Sequence, residues 1–194
     1  MKIIDISQEI TKCNVYPGDP IPKVLKVSDM NNGELYNLSE FKMCAHNGTH
    51  VDAPSHFIKN GKSIDQISLD RFVGWCYVSS FDGELKQEDA KQVLNTTLEN
   101  NCLMILIKGD CIVTSSAAKV FSESNILLIG NESQSVGPID SPMEVHKILL
   151  EKEIVLLEGI NLKDVSVGKY FLCAQPLNIN GIEGSPCRAI LIKE

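Results

Sequence analysis

The sequence predicts a mixed α/β domain: many short strands with a few helices between them. Three observations predict it. The runs Leu103-Met104-Ile105-Leu106-Ile107, Ile126–Ile129 and Ile154–Leu157 are continuously apolar, as strands buried on both faces are. Between and after them lie segments with apolar residues at helical spacing. At 194 residues the chain is long enough to bury a real core, and one domain spanning 1–194 is the default.

In chain order, Lys2–Ile6 reads as a first strand. Tyr16-Pro17-Gly18-Asp19-Pro20 is a turn-rich loop with an aromatic at its mouth. Lys23–Val27 carries two valines in a short, mostly apolar run and reads as a strand. Ser39–Met43 partly alternates, with Phe41 and Met43 on one side. Gly61–Asp70 reads as loop and Trp75–Val78 as a short strand. Gln87–Asn100 places Ala90, Val93, Leu94 and Leu98 near helical spacing, and Ser115–Phe121 is a short helix. Ser141-Pro142-Met143-Glu144 has the pattern of a capping box, Ser at the N-cap, Pro first and Glu third, starting a helix to about Lys152. Ile154–Leu157 is a strand ending in Glu158-Gly159, and Tyr170–Ala174 and Ala189–Ile192 close the chain as strands.

Composition excludes several classes. The formal net charge of −7, with no Lys/Arg cluster, argues against a nucleic-acid partner. No run of ~18 apolar residues is present, so no membrane partner is expected. The N-terminus begins directly as a strand, without a signal-peptide pattern. The seven cysteines are odd in number and scattered, with no Cys-x-x-Cys, which points to a reducing cytoplasm.

The chemistry concentrates in Ala45-His46-Asn47-Gly48-Thr49-His50-Val51-Asp52-Ala53-Pro54-Ser55-His56, which holds three of the four histidines. On an extended chain His50 and Asp52 share a side. His46 and His50, four apart, share a face if that end is helical. A straight strand from His46 to His56 would span roughly 33 Å at ~3.3 Å per residue, too far for one site. The chain must therefore bend, and Gly48 and Pro54 are where it can. Imidazoles with a carboxylate suit zinc, manganese or iron. Cys44, two residues before His46, reads as packing rather than as a ligand. The fourth histidine, His146, flanks the apolar stripe Val145, Ile148, Leu149 of the capped helix. Glu158, at the end of an apolar strand, needs a partner if buried. Together these groups suffice for a two-ion site with a shared carboxylate.

The stretch His46–Phe57 resembles the His-x-Gly-Thr-His-x-Asp-x-Pro-x-His motif of the metal-dependent cyclase family, which includes bacterial kynurenine formamidase and isatin hydrolase. The similarity extends along the chain. Tyr16–Pro20 resembles the family's aromatic-Pro-Gly-Asp loop, Ile129–Ser135 its Ile-Gly-x-Asp-x-x-Ser segment, and Gln175-Pro176-Leu177 with Ser185–Ala189 its closing pattern. The resemblance implies an α/β fold of swivelling β/β/α type, with a mixed, barrel-like sheet core, and a homodimer or larger. It implies zinc or manganese, one or two ions per subunit: a first on His46, His50, Asp52 and Glu158, a second on Asp52, His146 and Glu158. It assigns proton transfer to His56 and substrate contact to Tyr16. The substrate is then a small molecule, expected to be an aryl formamide such as N-formyl-kynurenine, opened by metal-activated water. Three residues depart from the pattern: Tyr16 stands where formamidases typically have Trp, Glu132 replaces Asp, and Lys108-Gly109-Asp110 lacks their Arg. Lys108 is then a candidate for meeting a substrate carboxylate as a point charge. The alternatives are an isatin-type lactam hydrolase or cyclase/dehydratase, and a non-catalytic metal- or ligand-binding protein.

Overall fold

A computed structural model describes residues 1–193. Its strands are β1 (Lys2–Asp5), β2 (Lys23–Ser28), β3 (Leu38–Lys42), β4 (His50–Asp52), β5 (Val73–Ser80), β6 (Gly83–Leu85), β7 (Met104–Lys108), β8 (Cys111–Val113), β9 (Leu128–Asn131), β10 (Val155–Glu158), β11 (Gly168–Cys173), β12 (Gly184–Pro186) and β13 (Ile190–Lys193). The helices are α1 (Gln87–Glu99), α2 (Ser115–Ser122) and α3 (Met143–Leu150).

Nine strands form one mixed sheet in the order β1-β13-β11-β5-β7-β9-β10-β4-β12. Its centre, β5-β7-β9-β10, is parallel, and both flanks are antiparallel. The uniformly apolar runs are three of these central strands, β7, β9 and β10. Along β7, Met104 and Leu106 enter one core while Ile105 and Ile107 enter the other. A strand with a core on each face has no polar side to show, so alternation disappears from its sequence. Phe72, Tyr170 and Leu191 fill the core away from the helices. The other core holds Ala90 and Val93 of α1, Phe121 of α2, and Val145 and Leu149 of α3.

Local rules explain most boundaries. The Lys86 N–H donates to Asp89 Oδ2 at 3.2 Å, closing the start of α1. Thr114 Oγ1 accepts from the Ala117 N–H at 3.3 Å and caps α2. The Ser141 capping box does not form. Pro142 is the N-cap in helical backbone conformation, and Ser141 Oγ donates instead to Asp140 Oδ1 at 3.2 Å. A proline already in the helical region leaves Ser141 one residue too early to reach the free N–H groups.

Gly61–Asp70 contains two 3-10 turns, Ile64–Gln66 and Leu69–Arg71, and the first buries Ile64. The three-residue strands β6, β8 and β12 carry no run long enough to read as strands. In β12 the sequence Gly184-Ser185-Pro186 reads as a turn, yet a proline is admissible there because β12 is the sheet edge. The strands β2 and β3 form a separate two-stranded ribbon whose residues are almost all exposed.

Candidate metal centre

Register builds the site. In the antiparallel pair β4–β10, Glu158 lies opposite His50 and Leu156 opposite Asp52. Directly opposed residues share a face. Leu156 packs in the helix-side core, so His50, Asp52 and Glu158 all face the helices, while Val51 and Leu157 fill the other core. Helix α3 packs on this face and delivers His146. The chain bends at both expected places. His46 sits in a turn, neither helical nor in line with β4, and a 3-10 turn at Pro54–His56 folds His56 back. The rings of His46 and His56 thereby stack, with centroids 4.1 Å apart.

The five groups converge closely. His46 Nδ1 lies 2.9 Å from Asp52 Oδ1, and His50 Nε2 lies 3.5 Å from the same oxygen and 3.3 Å from Glu158 Oε2. His146 Nε2 lies 3.1 Å from Glu158 Oε1 and 3.7 Å from Asp52 Oδ2. Two overlapping donor sets result, His46-His50-Asp52 and Asp52-His146-Glu158. Asp52 belongs to both.

The surroundings of the rings test whether this set suits an ion. His50 Nδ1 is 2.9 Å from the Gly48 carbonyl, and His146 Nδ1 is 2.9 Å from the Pro142 carbonyl. A carbonyl only accepts, so each Nδ1 carries a proton and each ring turns its Nε2 inward, the atom that binds an ion once it is deprotonated. There the Nε2 atoms face carboxylate oxygens, which only accept. Asp52 Oδ2 is buried and has no hydrogen-bond partner. A cation, or protons, must fill the space between these acceptors, and the donor set fits a metal ion.

Without an ion, protons fill that space. Burial pushes the His46 imidazole down, but Asp52, aided by Glu158 and Glu183, outweighs it and holds the group up at about 9. Burial likewise opposes His146, and its hydrogen bond to Glu158 together with both carboxylates raises it to about 9. His50 is raised against burial by Glu158 and Asp52. Asp52 and Glu158 stay below the ordinary carboxylate range despite full burial, because the histidines face them. His56 differs: burial, reinforced by His46 and His146, keeps it below its ordinary value against the pull of Asp52.

An outer layer fixes these groups. The Val136 N–H donates to Glu158 Oε1 at 2.7 Å. Glu183 Oε1 lies 3.3 Å from His46 Nε2. The Gly159 carbonyl accepts from Thr49 Oγ1 at 2.6 Å and from Gln8 Nε2 at 2.8 Å, joining the end of β10 to the start of β4. Only glycine fits at 159: its φ is +65°, and a Cβ there would lie 2.4 Å from the Gly48 carbonyl oxygen.

Beside the centre is a pocket of about 230 Å³, lined by the site histidines and Glu158 and by Tyr16, Asp19, Cys44, Phe57, Gln134, Ser135 and Pro142. His46, His50, Asp52, His146 and Glu158 thus come together as the spacing and the resemblance led one to expect, and His56 and Tyr16 face the same space. The Tyr16 hydroxyl donates to the Ile139 carbonyl, pinning its loop to the segment before α3. Lys108 is not at the pocket. Its Nζ donates to the Lys163 and Val165 carbonyls, both at 2.8 Å. Glu132 is equally occupied, accepting the Gly109 and Leu162 N–H groups at 2.8 Å each. Asp19 and Ser135 belong to the two loop segments that carry the resemblance, though no role was assigned to them there, and Phe57, Gln134 and Glu183 were given no role from the sequence. Of the last three, Phe57 had a local signal, standing directly after the motif's last histidine. A larger open groove of about 700 Å³, between the β1 end and Arg188, contains no histidine and lies apart from this chemistry.

Fold and site together define a metal-dependent hydrolase. The sequence pattern of the Cyclase family ("Putative cyclase") matches residues 4–157, and the chain belongs to that family. It is 32% identical to a kynurenine formamidase of Salinibacter ruber over 98% of this chain and 97% of that protein. It is 33% identical to cyclase-like protein 1 of Oryza sativa subsp. japonica over 91% of this chain and 73% of that one. A solved structure described as a potential metal-dependent hydrolase with cyclase activity superposes with a TM-score of 0.84 at 25% identity, covering 100% of this chain and 98% of the other. Isatin hydrolase A of Labrenzia aggregata shares the fold, with a TM-score of 0.81 at 22% identity over 100% of this chain and 94% of that one.

Proposed function

We propose that the protein hydrolyses a small aryl formamide of the N-formyl-kynurenine type, using zinc or manganese held by His46, His50, Asp52 and Glu158, with a second ion on Asp52, His146 and Glu158. The observation that carries this reading is the pair of inward-facing Nε2 atoms around the unpartnered Asp52 oxygen, beside a pocket. A bound divalent ion supplies Lewis acidity toward water and the amide carbonyl at neutral pH.

The chain's own residues do the rest. His56 lines the pocket without belonging to either donor set. Its ring is held between His46 and the edge of Phe57, whose centroid is 4.4 Å away. From there it takes a proton from the attacking water and returns it to the amide nitrogen, which leaves only when protonated. Tyr16 and Phe57 offer walls to a flat ring. A cavity of about 150 Å³ admits benzene, so 230 Å³ suits one ring with a short substituent.

The reading includes a homodimer. The β2–β3 ribbon supports it, because Leu25 and Phe41 are each 61% exposed and a two-stranded ribbon is marginal alone in water. The test compares N-formyl-kynurenine with isatin and simple amides on metal-replete protein. Turnover on N-formyl-kynurenine near the enzyme median of ~10 s⁻¹ supports the reading. Turnover below ~10⁻² s⁻¹ with faster opening of isatin transfers the assignment to a lactam hydrolase.

A further inference from the structure

Resting on the hydrolase reading, we infer that this pocket sorts substrates by charge: it favours a ring bearing a cationic amine over a neutral one and rejects an anionic one, with Asp19 as the specificity-determining residue. Among the described residues no Lys or Arg lines the pocket. The nearest candidate from the sequence, Lys108, spends its ammonium on two backbone carbonyls. The one carboxylate of the lining outside the metal centre is that of Asp19.

The backbone that carries Asp19 is held in place. Its N–H donates to the Tyr16 carbonyl at 3.0 Å, closing a turn centred on Pro17-Gly18, and Tyr16 is itself tied to Ile139. Asp19 is half-buried, whereas His50 and Glu158 are buried, so Asp19 lies nearer the pocket mouth and the metal centre at its floor. A formamide reaching the floor therefore leaves its ring substituent near Asp19. Tyr16 and Phe57 add aromatic faces, which attract cations and give anions nothing.

The test uses three formanilides of matched shape with a meta trimethylammonium, tert-butyl or sulfonate group. Their kcat/KM on metal-loaded protein is measured alongside calorimetric binding of the corresponding anilines. We expect the cation to exceed the neutral isostere by about tenfold, as for a partly desolvated pair of opposite charges, and the anion to trail it by a similar factor. Asp19→Asn should bring the cation-to-neutral ratio close to one, and Asp19→Lys should invert the order. Equal or anion-favouring values in the wild-type protein overturn the inference, as does a preference that survives Asp19→Asn, or binding of none of the three anilines. If no formanilide is hydrolysed but the cationic aniline binds best through Asp19, the charge selection stands and the hydrolase reading falls.

Discussion

Two antiparallel strand pairs flank the histidine stretch, and they have opposite fates. The pair β4–β10 is buried on both faces, with Val51 and Leu157 in one core and the ionisable groups turned toward the other. The ribbon β2–β3, which ends a few residues earlier, is exposed nearly throughout and carries Val24, Leu25 and Phe41 into solvent. Both pairs have a definite register, but only the first converts register into chemistry. A core behind β4–β10 fixes which way each side chain points, and an outer layer of carbonyl and amide groups fixes each ring. The ribbon has no such backing, so its side chains are available to a partner rather than to a substrate.

Breaking the buried pair should have the largest effects. Asp52→Asn removes the carboxylate shared by both donor sets. Changes one layer outside a metal typically cost about 10–100-fold in affinity, and this one should cost more, abolishing both metal retention and activity. A fully metal-loaded Asp52→Asn protein would show that Asp52 is not shared. Next comes His56→Ala, which should lower turnover by roughly 10²–10⁴ while leaving the ion bound, as metal analysis of the same sample would check. Equal metal loss in His56→Ala and His50→Ala would make His56 a ligand.

How far this contrast was visible beforehand depends on range. The bends at Gly48 and Pro54 follow from the distance between His46 and His56, and the shared face of His50 and Asp52 follows from parity. The apolar runs marked β7, β9 and β10 because burial on both faces erases alternation. The pairing of His50 with Glu158 came only through the resemblance, since register between β4 and β10 is set by packing more than 100 residues apart in sequence. Nor were the roles of Lys108 and Glu132, which depend on which backbone groups lie nearby. The Ser141 box failed because the motif cannot report the backbone angles of Pro142. The exposure of Val24 and Phe41 ran against their apolar character, which in a sequence reads as core.

Changes in the ribbon should sharpen the contrast at smaller cost. Phe41→Asp should leave the thermal transition of the separated chain nearly unchanged, since surface substitutions fall within about ±0.5 kcal/mol. It should shift a dimer to monomer in sedimentation. An unaltered dimer would remove the ribbon from the interface. Smallest of all is Arg188→Ala. The hydrogen bonds from Arg188 Nε and Nη2 to Asp5 Oδ2, at 2.9 and 2.5 Å, hold the Asp5 carboxyl below its ordinary value. A depressed carboxylate stabilises the fold above its unfolded pKa near 3.8 and loses that contribution as pH falls through the folded value. The melting difference between wild type and Arg188→Ala should therefore be small at pH 7 and vanish in strong acid. A difference that grows on acidification would contradict the pairing.

The central claim is that the inward-facing Nε2 atoms of His50 and His146 and the orphaned oxygen of Asp52 exist to hold a metal ion. Elemental analysis of the purified protein, repeated after chelation and after addition of zinc or manganese, tests it most directly. The account predicts one or two ions per chain, lost to the chelator and restored on addition. A protein that carries no transition metal and takes up none would contradict it.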